Sequence, residues 1–400
     1  MDETRLQRLQ ALLQRYELPA WLLCDFRHSN PIAYQVLGLD PTLHCTRRWA
    51  VLIPAQGQPE KLLHRVEPHV LQDVPARERL YATYGEWQRV LHEWVQRYRR
   101  LALEYSPRGE LPTISLVDGG TVELLRFFGA ELHSSADLVQ ELLAVHSEQQ
   151  LRQLAETAQQ LRVLVWEAFA WIGEQLRRGE SPQEYAVQQL LLQRLRQQGL
   201  VTDHPPIVAR TERAANPHYA PTAQDTAPIR LGDLVLIDIW AKPNAPDALY
   251  ADITWMAYAG EIAPDRFAEP FAKLCAARDA AIELITSAVA RREPIAGYQV
   301  DRHVRQLLAA AGYAKEFLHR TGHSLGTEVH GAGANLDDYE THDTRRLLPG
   351  TAVTIEPGIY RAGEFGMRTE VDLLLWHDCA EVHPQPLQQR LIPLLAEHWQ

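Results

Sequence analysis

The sequence predicts an α+β protein of two domains, and three observations carry this prediction. Strands and helices alternate over the first third of the chain, long helices replace them from residue 147, and one helical pattern recurs later. A length of 400 residues is enough for two or three folding units. With 46% hydrophobic and 23% charged residues, the composition is typical of a globular protein. We expect an N-terminal domain over residues 1–146 and a C-terminal domain over residues 147–400.

The N-terminal domain is predicted to be a small α/β unit. Helical periodicity alternates there with short apolar runs that predict strands, at Ala20–Cys24, Trp49–Ile53 and Leu101–Glu104. Helices are expected over Tyr84–Arg99 and Thr121–Phe128. No residues in this region have catalytic spacing. Its expected roles are oligomerisation or shaping the entrance to a site elsewhere.

The charge and the apolar pattern exclude several classes of partner. A net charge of −11 argues against nucleic-acid and anionic-membrane surfaces, which require clustered Lys and Arg. The sequence has no run of about 18 apolar residues, so no membrane span is predicted, and no signal peptide is recognisable at the N-terminus. The four cysteines lack CxxC spacing. A cytoplasmic protein that acts on small substrates is expected.

An internal repeat organises the C-terminal domain. Tyr185–Leu200 and Tyr298–Tyr313 both place Val two residues after Tyr and Gly fourteen residues after it, and the two tyrosines are 113 residues apart (185 to 298). Two helix-helix-strand units that face a shared site are predicted. The alternative is that amphipathic helices ending in Gly resemble one another by chance. A capping box at Ser181–Glu184 predicts the start of the first repeated helix.

Four acids interrupt the apolar strand patterns that follow these helices. Asp233–Trp240 and Tyr250–Tyr258 predict a hairpin that contains Asp238 and Asp252. Two further strands, Thr351–Glu356 and Met367–Trp376, contain Glu356 and Glu370, and side-chain alternation places Arg368, Glu370 and Asp372 on one face. A buried carboxylate costs several kcal/mol unless it is paired, protonated or bound to a metal. Four acids around one cavity therefore predict cations.

Histidines accompany these acids. His319, His323 and His330 cluster within Phe317–His330, where Gly322 favours a loop or strand over a helix of zinc-binding type. Carboxylates and an imidazole, without thiolates, suit Mn²⁺, Co²⁺, Zn²⁺ or Fe²⁺. A divalent-metal site is the expectation.

These motifs resemble the pita-bread metallopeptidases, the family of methionine aminopeptidase, aminopeptidase P, prolidase and creatinase. The resemblance rests on IDIW, ADIT, HRTGHSLGTEVH, TIEPGIY and MRTEVD, and it extends over residues 147 to about 380 and, more loosely, over the N-terminal domain. It implies a pita-bread fold with a pseudo-twofold repeat and a homodimer. It also implies two divalent metal ions, with Mn²⁺ favoured over Co²⁺, Zn²⁺ and Fe²⁺.

The resemblance assigns roles to residues of this sequence. Asp238 and Asp252 would hold one metal, and Asp252 and Glu370 would bridge to a second, which His323 and Glu356 also hold. Substrate-binding residues would be His218, His319, His330, Tyr360 and Arg368. Glu356 would act as general base and acid on a metal-bridging hydroxide, with His218, His330 and Arg368 as further catalytic residues. The implied reaction is hydrolysis of the N-terminal Xaa-Pro bond of dipeptides or short peptides.

Three positions depart from the family pattern. Gly331 follows His330 where prolidases and aminopeptidase P have an acid, and Asp252 lies 14 positions after Asp238, which is longer than usual. His342 occupies the position of the arginine that binds the dipeptide carboxylate in prolidases, and Arg345 or Arg346 are its possible substitutes. These departures leave the catalytic class standing and leave strict dipeptidase specificity open.

Other functions compete with the metallopeptidase. Gly322–Gly326 (GHSLG) matches the GxSxG motif of serine hydrolases, with Ser324, Asp372 and His383 in the required order. The polar stretch before it and the lack of a helical pattern after it argue against this function. A non-catalytic pita-bread protein, or one with metal-free creatinase-like chemistry, is disfavoured because all five ligand positions are filled.

Overall fold

The structure, a computed structural model, describes residues 1–397. The chain forms two compact units, of which the first is Met1–Leu143 and the second begins at Ala144. The first unit thus ends three residues before the boundary placed after residue 146. Within residues 1–397, no helix has both the length and the apolar character needed to cross a bilayer.

The N-terminal unit is a mixed six-stranded sheet with helices. Its sheet has the order β4-β3-β2-β1-β5-β6, in which β1–β2 and β2–β3 are antiparallel and the remaining pairs are parallel. The strands and helices predicted here are present. The elements are α1 Glu3–Arg15, β1 Ala20–Asp25, α2 Pro31–Leu37, β2 Trp49–Pro54, β3 Glu60–His64, β4 Arg77–Tyr81, α3 Tyr84–Arg97, β5 Arg100–Leu103, α4 Gly119–Phe127, β6 Glu131–Ser134 and α5 Ala136–Leu143.

The second unit combines two pairs of helices with small sheets that are mainly antiparallel. Its elements are α6 Glu148–Arg177, α7 Glu184–Gln197, β7 Leu200–Val201, β8 Ile207–Arg210, β9 Leu234–Pro243, β10 Ala251–Tyr258, α8 Asp265–Ala290, α9 Gly297–Ala310, β11 Ser324–Leu325, β12 Ala352–Ile355, β13 Gly358–Arg361, β14 Phe365–Arg368, β15 Val371–Leu375, β16 Ala380–His383 and β17 Ile392–Pro393. The sheet orders are β17-β10-β9-β7 with β8 beside β9, β11-β12-β15-β16, and β13-β14.

The element order in this unit repeats as the sequence predicted. A long helix, a 14-residue helix and an antiparallel strand pair occur first as α6, α7 and β9–β10, and again as α8, α9 and β12–β15. The two 14-residue helices begin 113 residues apart, at Glu184 and Gly297. An isolated β-bridge precedes each, Gln183 with Pro228 and Ala296 with Arg346. The similarity between the two repeats therefore includes the β-bridge directly before each 14-residue helix.

The start of α7 differs from the predicted capping box. The helix begins at Glu184, with Gln183 as an N-cap that makes no side-chain bond, so Ser181 and Pro182 lie outside it. Glu184 is fully buried, and its carboxylate accepts the backbone N–H groups of Arg210 and Ala227. These tertiary bonds, which local sequence does not reveal, fix the first turn in place of a local cap.

Strand β9 is buried on both faces, as its apolar run predicts. Val235 and Ile237 pack in one core with α6 and α7, whereas Leu234 and Leu236 pack in a second core with α8 and α9. Asp238 continues the second row, because alternate side chains of a strand share a face. The position of this acid thus follows from the regular strand that carries it.

The strand predicted over Met367–Trp376 is instead two strands. β14 pairs with β13, whereas β15 pairs with β12 and β16, so the chain changes sheet at Thr369 and Glu370. The backbone N–H of Glu370 donates to the carbonyl of Thr254 at 3.1 Å. A bond to the other half of the unit therefore replaces ladder pairing at this residue.

Candidate metal centre

The hairpin β9–β10 presents two acids on one face. In its register Asp238 lies opposite Thr254, and Asp252 lies opposite Trp240. Two residues that lie opposite each other on paired strands point to the same side of the sheet, and so do residues i and i+2 of one strand. Asp238 and Asp252 therefore both face the cavity, although 14 positions separate them in sequence.

The second half contributes three more groups from the ends of strands. His323 directly precedes β11, Glu356 follows β12, and Glu370 precedes β15. The backbone N–H of His323 donates to the Thr354 hydroxyl at 2.9 Å, and that of Glu356 donates to the Thr321 carbonyl at 2.7 Å. These bonds fix the backbone at both positions.

The five predicted ligands meet at one cavity of about 480 Å³. Within residues 1–397, ligand atoms of Asp252, His323 and Glu370 lie within 4.8 Å of one another. His323 Nε2 is 3.6 Å from Asp252 Oδ2 and 3.6 Å from Glu356 Oε1. Asp238 and Glu356 line the same cavity beside this trio.

Burial and mutual repulsion disfavour the charged form of these acids. Burial raises the pKa of Asp252 and Glu370 well above the usual range, and neighbouring carboxylates raise both further. Burial also raises the pKa of Glu356 to about 7, although Arg368 and Arg320 oppose the rise. Without cations, this environment therefore favours the protonated form of these carboxyls.

Arg368 is the one buried arginine among these acids in residues 1–397. Its guanidinium forms a short ion pair with Asp238 and lies 3.7 Å from Glu370 Oε2. It also donates to the hydroxyls of Thr254 and Tyr360, at 2.9 and 3.1 Å. One guanidinium cannot neutralise four carboxylates, so the cluster still needs positive charge.

The chemistry of this donor set fits divalent cations. Asp238 Oδ1 and Asp252 Oδ1 are buried and have no hydrogen-bond donor among residues 1–397. A buried carboxylate oxygen without a donor is costly, and a cation removes that cost. Because every candidate ligand atom is oxygen or nitrogen, the site suits metals such as Mn²⁺, Co²⁺, Zn²⁺ and Fe²⁺.

His319 lines the cavity, and a chain of hydrogen bonds joins it to Tyr360 behind it. His319 Nδ1 lies 2.7 Å from the Arg320 carbonyl, so it carries the hydrogen, and Nε2 accepts from the Tyr360 hydroxyl at 2.8 Å. Burial, reinforced by Arg368, lowers the pKa of His319 to about 3, and the ring is therefore neutral. Tyr360 is buried, and its hydroxyl contacts His319 and Arg368 instead of lining the cavity.

His330 and His218 line the cavity, as does His319. The His330 ring stands edge-on to that of His323, with centroids 4.5 Å apart, and burial lowers its pKa. Gly331 has a steric reason to replace the acid of the family pattern. A Cβ at this position would lie 2.8 Å from the Leu325 carbonyl carbon. The backbone N–H of Gly331 donates to the Ser324 carbonyl, which keeps the glycine in place.

His342, which stands at the position of the carboxylate-binding arginine, lies outside the cavity lining. Its Nδ1 is 2.7 Å from Asp338, and its ring packs against Tyr298. Arg345 is buried and held by Asp343 and by the Ala332 carbonyl. With His342 at this position, the cavity lacks the arginine of the family pattern. Arg345 does not replace it, because its guanidinium is held by Asp343 and the Ala332 carbonyl.

Sequence patterns missed two residues of this site. Thr254 bridges the halves, since its hydroxyl donates to Glu370 Oε2 at 2.6 Å and accepts from Arg368. Arg320 lines the cavity between two predicted histidines. Neither residue is a charged group inside an apolar run, which is the sequence signal that identified the four acids. Arg320 does lie within the HRTGH motif.

The geometry at Ser324 does not fit a serine nucleophile. Ser324 is fully buried in the two-residue strand β11, and its hydroxyl accepts the N–H of Gly333 at 3.1 Å. A nucleophile elbow requires a strand-to-helix turn, and no helix follows β11 within residues 1–397. Asp372 accepts the backbone N–H of Asp252 and so serves the hairpin.

The chain matches a family model described as metallopeptidase family M24 over residues 153–376, which is more than half of its length. It is 33% identical over 194 residues to the probable dipeptidase PepE of Mycobacterium tuberculosis, a stretch that covers 47% of this chain and 46% of that protein. It is 31% identical over 248 residues to the uncharacterized peptidase YqhT of Bacillus subtilis, covering 62% and 64%. The matched stretches thus span about half to two thirds of these relatives.

Two solved structures share the fold over nearly the whole chain. Dipeptidase PepE from Mycobacterium ulcerans superposes with a TM-score of 0.69 at 22% identity, covering 98% of this chain and 97% of the other. The prolidase from Pyrococcus horikoshii gives a TM-score of 0.60 at 21% identity, covering 96% and 100%. These likenesses confirm the pita-bread fold predicted for the C-terminal domain.

Proposed function

The chain belongs to metallopeptidase family M24, and from that premise we propose that it hydrolyses the N-terminal Xaa-Pro bond of dipeptides or short peptides with two divalent metal ions. The observation that carries the proposal is the convergence of Asp252, His323 and Glu370 within 4.8 Å. Asp238 and Glu356 lie beside them at the same cavity. Together these five residues would hold the two metals, with Mn²⁺ favoured.

Bound metals would lower the pKa of a water molecule and polarise the scissile carbonyl. The protein's own groups handle the protons. Glu356 Oε1 accepts weakly from the Thr354 hydroxyl at 3.3 Å, whereas Oε2 has no hydrogen bond within residues 1–397. Oε2 is therefore free to take the proton of the attacking water and to return it to the leaving amine.

Imidazoles around the cavity position the substrate carbonyl. Burial keeps His330 neutral at physiological pH, so a ring N–H can donate to the developing oxyanion. His218, which is exposed at the cavity, can reach the substrate from the opening. Tyr360 acts as a positioning residue, because it holds both His319 and Arg368.

The preference for proline is supported by the apolar part of the cavity. Six lining residues are apolar: Pro205, Ile207, Pro217, Ala220, Trp240 and Val329. Such a wall suits the pyrrolidine ring, while the metals and imidazoles contact the peptide bond. The names of two similar proteins, a probable dipeptidase and a dipeptidase, favour dipeptide substrates, and the name of a structural neighbour, a prolidase, favours proline.

The proposal is tested with the full chain after chelator treatment. Xaa-Pro dipeptides and longer Xaa-Pro-Yaa peptides are assayed with Mn²⁺, Co²⁺, Zn²⁺ and Fe²⁺ in turn, with matched Xaa-Ala peptides as specificity controls. Cleavage of Xaa-Pro that depends on added metal, and that Glu356→Gln abolishes, is the expected result. No cleavage of any peptide under any metal would overturn the peptidase function. Equal cleavage of Xaa-Ala would overturn the proline preference alone.

The resemblance also favours a homodimer, which we include in the proposal. Sedimentation equilibrium of the full chain measures it directly. A single species at the mass of one 45.5 kDa chain would contradict it.

A further inference from the structure

One cation in the candidate metal centre has no partner. The backbone N–H of Arg320 donates to Glu340 Oε1 at 2.9 Å, but its guanidinium forms no hydrogen bond or ion pair with residues 1–397. Arg368, in the same cavity, contacts Asp238, Thr254 and Tyr360. A half-buried guanidinium has five N–H donors, and leaving them unused beside a binding cavity points to a ligand from outside the chain.

The loop that carries Arg320 is held from two sides. Thr321 donates its N–H and its hydroxyl to Asp301 Oδ1 of α9, at 2.9 and 2.6 Å, and its N–H also reaches the Leu336 carbonyl. Arg305 of α9 donates to the carbonyls of Phe317 and His319. The backbone at Arg320 is therefore fixed before substrate arrives, which reduces the entropy lost when the guanidinium binds.

The charge of Arg320 reaches the reacting groups. The Arg320 side chain lines the same cavity as His330, His323 and Glu356. Two other acids at this cavity, Asp203 and Glu340, are exposed, and neither forms an ion pair with the Arg320 guanidinium. Asp203 Oδ2 lies 3.2 Å from His204 Nδ1, and among the described residues Glu340 accepts only the backbone N–H of Arg320. The Arg320 guanidinium is therefore available to attract an anionic group of the substrate.

We propose that Arg320 binds a carboxylate of the substrate and thereby selects short, negatively charged peptides. A planar guanidinium matches a carboxylate through two parallel hydrogen bonds. Two sources supply that group: the free α-carboxylate of a dipeptide, and an acidic side chain near the scissile bond. The inference rests on the proposed peptidase function, and it gives the task of carboxylate recognition to a loop that also carries His319 and His323.

The test compares paired substrates with the metal-loaded chain. Ala-Pro and its C-terminal amide measure the contribution of the α-carboxylate, whereas the amides of Glu-Pro and Gln-Pro measure that of an acidic side chain. Each pair is assayed with the wild type, with Arg320→Gln and with Arg320→Lys. Arg291→Gln is the matched control, since Arg291 is exposed and paired with Glu293 outside the cavity.

In one of the two pairs, Arg320→Gln should reduce the preference for the carboxylate substrate, measured as a ratio of kcat/KM, by about 10- to 100-fold. The reduction should lie mainly in the KM of the carboxylate substrates, and the change for the amide substrates should be smaller. Arg320→Lys should retain part of the preference, because it keeps the charge and loses the planar fork. The pair that responds identifies the source of the carboxylate.

Two results would overturn the inference: unchanged ratios in both pairs, or an equal loss for all four substrates, which would indicate a structural role. A failure of the proposed peptidase function can be distinguished from these two results. If the wild type cleaves no peptide with any metal, calorimetric Kd values for the same four peptides replace the rates. A carboxylate preference in Kd that Arg320→Gln removes would support Arg320 without catalysis, and the absence of such a preference would overturn it.

Discussion

The two halves of the C-terminal unit serve the candidate metal centre in different ways. In the first half, Asp238 and Asp252 lie in register on one continuous hairpin. In the second half, Glu356 and Glu370 lie where strands end and the chain changes sheet. The hairpin is a regular platform that supplies these two acids, together with Trp240 and the bridging Thr254. The irregular half brings His319, His323 and His330, the arginines and the remaining acids to it, so most of the polar groups lie where regular pairing is interrupted.

Removing one acid from each half is the strongest way to probe this difference. Asp238→Ala and Glu370→Ala should each lower peptidase activity by more than about 1000-fold, because neither set of remaining ligands holds a complete dinuclear centre. Asp238→Ala should lose one metal per chain, whereas Glu370→Ala should lose both if Glu370 bridges them. Elemental analysis of the purified chains measures this. Glu283→Ala, an exposed acid on α8, is the control, and wild-type activity in Asp238→Ala would refute its role.

Metal removal should destabilise the unit more as pH rises. A carboxyl whose folded-state pKa is raised binds more protons in the folded state, so it favours folding below its unfolded pKa and loses that contribution as pH rises through the folded value. For Glu356 the window runs from about 4.5 to about 7, and it corresponds to a loss on the order of 3 kcal/mol. Thermal unfolding of chelated and metal-loaded chains between pH 5 and 8 tests this. A chelated chain with pH-independent stability would contradict the shared burial of these acids.

Thr254→Val breaks the contact between the halves without changing the shape of the side chain greatly. It removes the hydroxyl that donates to Glu370 and accepts from Arg368, so the free energy of unfolding should fall by about 1–3 kcal/mol. Urea unfolding of the metal-free chain measures the change. Thr157→Val is the matched control, because the Thr157 hydroxyl bonds only within α6, and it should cost less. Equal costs would mean that Thr254 does not join the halves energetically.

Asp372→Asn should have the smallest effect. Burial raises the pKa of Asp372 well above its usual range and so favours the neutral form, and the amide oxygen of Asn can still accept the N–H of Asp252. The free energy of unfolding should change by less than about 0.5 kcal/mol, and the metal content should stay unchanged. Loss of a metal in this variant would instead make Asp372 a ligand.

The acids of the platform were predictable because regular strands leave a clear signal. A carboxylate within an apolar run marks a buried site, and alternation gives its direction, which is how Asp238 was placed. The same reasoning extended a single strand through Glu370, where the chain in fact changes sheet. A tertiary bond to Thr254 decides that position, and no local pattern encodes it.

The start of α7 and the role of Arg320 escaped prediction for a related reason. Glu184 takes its hydrogen bonds from residues that follow it by 26 and 43 positions, so a local capping motif was the wrong guide. For Arg320 the informative observation is the absence of a partner. Only the packed structure shows which cations are paired, as with Arg345 and Asp343, and which are not.

The bridge at Thr254 also sets the order in which a newly made chain completes its centre. Thr254 and Glu370 are separated by 116 residues, so the ribosome releases the platform acids long before their partners exist. Until the second half folds, Asp238 and Asp252 remain hydrated or protonated, and no closed cage is present to retain an ion. Metal loading therefore belongs to the end of biosynthesis, and each ion that enters displaces protons which the folded acids were holding.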